Sequence, residues 1–146
     1  MTDISLYIAD ALTIVSIILA VLYVIGFTKN GKAYRYFTCY LILVAVIQII
    51  MYVYAGKKMN NIFLFHYYFI GQFIFLSLFY KELIQKKWVL YILVLVLIGL
   101  GTNYAIHPEI FNEYHTIGVS ITQSIIVVYA LIYYYQSLTG RSLFLL

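Results

Sequence analysis

The chain has 146 residues, 65% of them apolar and only 10% charged, against roughly 45–50% and about 25% in soluble domains. A water-soluble fold of this size has too little interior to hide that much apolar side chain, so the composition excludes a soluble globule and points to lipid as the solvent. The formal charge of +4 sits in short clusters between long apolar runs, the pattern of membrane flanks and not of a nucleic-acid-binding surface.

A membrane-crossing helix needs about 20 apolar residues at about 1.5 Å each, and five runs reach that length. They predict an all-α integral membrane protein, a single bundle of about five antiparallel transmembrane helices over residues 1–146. The first predicted span runs from Ile4 to Phe27. It opens on MTDISLYIAD, with Asp3 and Asp10 where a signal peptide carries Lys or Arg, so it is expected to be retained. Asp10, Thr13, Ser16 and Ala20 share one face, and Ser16 and Ala20 form a small-xxx-small step suited to close helix packing.

The connector TKNGKAYR leads to a second span, Tyr36 to Ala55, with Thr38, Ala45, Gln48, Tyr52 and Ala55 along one stripe. Its Cys39 is the only cysteine, which excludes an intrachain disulfide and a CxxC pair and leaves the role of a small buried hydrophobe. After GKKMNN comes a third span, Ile62 to Tyr80, containing His66; after KELIQKK a fourth, Trp88 to Ala105, with Gly99 and Gly101 as a weak point near one end. TNYAIHPE precedes the fifth, Ile110 to Leu138, where Thr116, Ser120, Gln123, Ala130 and Tyr134 form another small-and-polar stripe. The final RSLFLL reads like the beginning of a further apolar run.

Short connections force neighbouring spans to alternate in direction. Lys29, Lys32, Arg35, Lys81, Lys86, Lys87 and Arg141 then fall on one side, with only Lys57 and Lys58 on the other. The excess of cations in cytoplasmic loops places the N-terminus outside and the C-terminus in the cytoplasm. Tyrosines and Trp88 concentrate at the span ends, as expected of interfacial belts.

Ionisable groups within a span cost at least a few kcal/mol and count as functional candidates. Asp10 and His66 lie at matched depth in the outer leaflet, with Gln48, Tyr52, Ser120 and Gln123 near the same level. Two readings follow: helix-packing seams in which Gln, Ser and Thr bond across helices, or one polar cluster around Asp10 and His66 lining a cavity open to the outside.

His107, Glu109, Glu113 and His115 resemble a metal site at first. A helix starting at Pro108 would stack Glu109 and Glu113 on one face and turn His115 away, so no metal is assigned. His66 has no intramembrane histidine partner for a haem, and no cofactor is expected. The stretch GVSIT around Ser120 is not a nucleophile elbow, and no phosphate-binding glycine loop, HExxH or intramembrane lysine is present. No catalytic residue is assigned.

Residues Asn61 to Leu83, NIFLFHYYFIGQFIFLSLFYKEL, resemble a span of uncharacterised bacterial multi-span membrane proteins of sensor-segment type. The resemblance implies the bacterial inner membrane, and no activity is carried over from it. The sequence thus predicts a non-enzymatic module acting through packing with itself or another membrane protein. The alternative is a small oligomeric transporter or channel using an outer cavity at Asp10 and His66.

Overall fold

A computed structural model describes residues 3–140; Arg141 and the rest of RSLFLL, read above as a cytoplasmic cation and a new apolar run, lie outside the described residues. The described chain is helical, with no strand. Five helices are long and apolar enough to cross a membrane: α1 Asp3–Ile25, α2 Lys32–Gly56, α3 Ile62–Ile84, α4 Trp88–Ile106 and α5 Thr116–Thr139. At about 1.5 Å per residue even α4, with 19 residues, comes close to the roughly 30 Å of bilayer hydrocarbon.

The connections explain where each helix stops. Asn30 caps the turn after α1 by donating to the Gly26 carbonyl at 2.8 Å, and Arg35 Nε reaches back to the Phe27 carbonyl at 3.2 Å. The end of α3 is set by Gln85, whose left-handed backbone (φ 57°, ψ 34°) lets its amide donate to the Lys81 carbonyl at 2.9 Å. Pro108 cannot continue α4, and the residue before it, His107, has left helical geometry.

Here the structure departs from the sequence reading. Pro108–Asn112 forms one 3-10 turn, Glu113 is extended (φ −123°, ψ 162°), and α5 starts only at Thr116. The fifth span therefore begins six residues later than expected, at Thr116 instead of Ile110. No helical face carries Glu109 and Glu113 together. Gly99 and Gly101 do not interrupt α4, which runs through both.

Helix α3 is the hub: it packs on α2, α4, α5 and the 3-10 turn, whereas the principal neighbour of α1 is α2. A third of the most apolar window of α3 is buried, 33%, against 6% in α1. Phe37 near the start of α2 meets Phe79 near the end of α3, while Tyr54 near the end of α2 meets Phe63 near the start of α3. Two buried clusters anchor the packing. Ala20, Leu41 and Ala45 join α1 to α2; Ile84, Val89 and Tyr129 join α3, α4 and α5.

The α1 seam follows the expected stripe, with Ser16 and Ala20 buried and Asp10, Thr13 and Tyr23 at its edge. On α2 only part of the stripe is covered: Thr38 and Ala45 are buried and Gln48 half-buried, while Tyr52 and Ala55 are exposed. On α5 the buried face runs through Gly118, Thr122 and Tyr129, and Thr116, Ser120 and Tyr134 are exposed.

The seam hydroxyls do not bond across helices as expected. Thr13, Ser16, Thr38 and Thr122 each donate to a carbonyl three or four residues back on their own helix, at 2.8–3.0 Å. Within a span, the second lone pair of a carbonyl in the preceding turn is the nearest acceptor for such a hydroxyl.

Candidate functional site

The polar centre of the bundle is built on the buried face of α3, where His66, Phe69, Phe73, Leu76 and Ser77 recur at helical spacing. His66 is fully buried. Its Nε2 lies 2.9 Å from the Glu113 carbonyl and its Nδ1 lies 2.7 Å from the Tyr104 hydroxyl. A carbonyl can only accept, so Nε2 carries the ring proton and donates to Glu113, and in the neutral ring Nδ1 accepts from Tyr104. One imidazole thus ties α3 to the end of α4 and to the segment entering α5.

Aromatic rings close around this clamp. Tyr104 stacks on Phe111 of the 3-10 turn with centroids 4.4 Å apart, and Phe65 stacks on Tyr114 at 4.3 Å. His66 has Phe69, Phe111 and His115 rings within 5.3–6.4 Å. Asn103 donates to His115 Nε2 at 3.1 Å, and His115 Nδ1 is buried without a hydrogen-bond partner. His107 pairs instead with Glu109, at 3.1 Å and exposed. Of the four residues that suggested a metal site, His107 and Glu109 thus pair with each other, Glu113 offers its backbone carbonyl to His66, and His115 bonds Asn103.

A second polar chain crosses the middle of the bundle. Gln123 of α5 donates to Gln72 Oε1 of α3 at 2.7 Å, and Gln72 donates to the Tyr40 hydroxyl of α2 at the long distance of 3.5 Å. The first bond is strong and the second weak by length. Deeper toward the turn between α3 and α4, the Ser77 and Tyr129 hydroxyls are buried beside one another.

The sequence candidates are distributed over these features. His66 and Gln123 occupy separate hydrogen-bonded chains. Asp10 stays on α1, half-exposed at the edge of the seam with α2, and no hydrogen bond joins it to His66, whose two nitrogens are both taken. Gln48 is half-buried on α2, and Tyr52 and Ser120 are exposed.

Tyr104, the Glu113 carbonyl and Gln72 were missed. Tyr104 read as a belt tyrosine and a backbone carbonyl leaves no trace in sequence, but Gln72, an amide near the centre of a span, was a legible signal. Chemically, the arrangement holds helices together: the lone pair a metal or general base would use on His66 is occupied by Tyr104. No family model, curated protein or solved structure matches this chain.

Proposed function

We propose that the chain is a non-enzymatic module of the membrane, a sensor, accessory or scaffold that acts by packing its helices against a second copy or another membrane protein. One contrast carries the reading: two polar chains, through His66 and through Gln72, are hydrogen-bonded inside the bundle, while α1 turns an apolar face outward. His66, Gln72 and Gln123 all have partners within the bundle. Leu12, Val15, Leu19 and Leu22 of α1 are exposed. Satisfied polar chains of this kind favour a packed module over a solute pathway, which needs polar groups free to exchange partners.

In this reading the five helices alternate across the bilayer as an antiparallel bundle, with the N-terminus outside and the connections at residues 26–31 and 85–87, with Lys29, Lys86 and Lys87, in the cytoplasm. The membrane is the bacterial inner membrane, as the resemblance of α3 implies.

Cross-linking tests the proposal. In a Cys39→Ser background, Val15→Cys on the outer face of α1 should yield a discrete adduct in native membranes. Leu95→Cys, exposed on α4, should yield less. Absence of an α1 adduct, or solute flux through reconstituted vesicles above that of protein-free ones, would overturn the module in favour of a transporter.

A further inference from the structure

Among the described residues, Asp10 is the carboxyl group set furthest inside a span: Asp3 starts α1, Glu82 lies in the last turn of α3, and Glu109 and Glu113 fall between α4 and α5. It stands roughly 9 Å along α1 from Ile4, and with that span centred on about 30 Å of hydrocarbon it lies roughly 7 Å inside. An aspartate side chain is too short to snorkel back to the headgroups as a lysine does. On a helix that faces lipid it therefore needs a partner at its own depth. Among the described residues it has none, since no hydrogen bond or ion pair reaches its carboxyl.

The face that carries it is open. Ile14, Ile17, Val21 and Val24 continue from Asp10 at helical spacing and all are exposed, whereas Ser16, Ala20 and Tyr23 turn the neighbouring face to α2.

Whatever covers this face has to bring positive charge, and the chain has none to bring at that depth. Tyr23 stacks on Tyr34, and Ala20 packs on Leu41 and Ala45, so α1 and α2 run in opposite directions and Asp10 lies toward the end of α2 that Lys57 and Lys58 follow. Both lysines sit beyond the helix, exposed, and neither pairs with Asp10 although α2 is the helix packed on α1. His66 is enclosed with both ring nitrogens engaged. A second copy would thus offer Asp10 only apolar side chains or the like charge of its own Asp10.

We propose that the Asp10 face of α1 is the docking surface for a transmembrane helix of a different membrane protein that carries Lys or Arg at the same depth. The cation pairs with the Asp10 carboxylate, and the apolar side chains beside it pack on Ile14, Ile17 and Val21. The proposal rests on the module reading and narrows the partner to a cation-bearing helix.

The test uses the full chain with Cys39→Ser and Ile17→Cys in phosphatidylcholine vesicles. The probe is a synthetic transmembrane peptide of leucine and alanine with one lysine about 9 Å from its end and one cysteine two turns deeper; a matched peptide has leucine in place of the lysine. The lysine peptide should give roughly threefold to thirtyfold more disulfide adduct, the range of polar contacts between membrane helices. Asp10→Leu, which replaces no buried residue of the α1–α2 seam, should remove that preference, and Asp10→Glu should keep it.

Equal adduct from the two peptides, or a preference that survives Asp10→Leu, would overturn the proposal. So would a chain-to-chain adduct through Ile17→Cys that the lysine peptide does not reduce, since a second copy would then cover the face. Insertion into the vesicles, and the Val15→Cys adduct in native membranes on a different face of α1, score the module reading separately.

Discussion

His66 is where a single side chain decides most. It lies fully buried with both ring nitrogens engaged, so removing either partner leaves a polar atom unsatisfied in a medium without water. Tyr104→Phe deletes the donor to Nδ1 and should cost about 0.6–2 kcal/mol, the range of hydrogen bonds between membrane helices. His66→Ala also opens a cavity and strands both the Tyr104 hydroxyl and the Glu113 carbonyl, and should cost about 3 kcal/mol or more. Unfolding in mixed micelles, followed by fluorescence of Trp88, the single tryptophan, gives the measurement. If both variants matched the natural chain, the clamp would have no energetic weight.

At the scale of elements, the most extensive helix–helix contact is between α2 and α3. A Cβ added at Gly71 would run into Leu43 Cδ2, whereas one at Gly99 or Gly101 would meet nothing. Leu43 is a flexible side chain, so Gly71→Ala should be tolerated by a small swing. Gly71→Leu cannot be accommodated that way and should cost about 1–3 kcal/mol, the usual range for overpacking. Gly99→Leu should stay within about 0.5 kcal/mol, as at other exposed positions. Thermal unfolding in detergent compares them, and an equal loss for both would mean that α2 and α3 are not closely seated at Gly71. The same scale explains the late start of α5: Pro108 and the extended Glu113 hold the chain out of helix for long enough to aim the Glu113 carbonyl at His66.

At the scale of the whole molecule, each turn is accessible to labelling, since Asn30, Asn60, Gln85 and Asn112 are all exposed. With five alternating spans, single cysteines at Asn30 and Gln85 in a Cys39-free chain should react with impermeant maleimide only from the cytoplasm. Cysteines at Asn60 and Asn112 should react only from outside. The reversed pattern would invert the orientation, and reaction of all four from one side would exclude five crossings. This assay is independent of cross-linking through α1, so each can fail alone.

The sequence by itself determined the solvent and the elements. Apolar runs about as long as a bilayer is thick leave few alternatives to helices in lipid, and the first four predicted spans agree with α1 to α4 to within a few residues. It also marked Ser16 and Ala20 as a seam, because small residues at helical spacing suit close approach whichever helix comes alongside. The tertiary structure decided which helix faces which. A stripe is a property of one helix, but partnership depends on rotation about its axis, and α5 turned Thr122 inward and Ser120 outward although both are small and polar. Equal depth could therefore suggest Asp10 for His66, while only the packing of α4 and the 3-10 turn against α3 supplied Tyr104 and the Glu113 carbonyl, contacts 38 and 47 residues away in the chain.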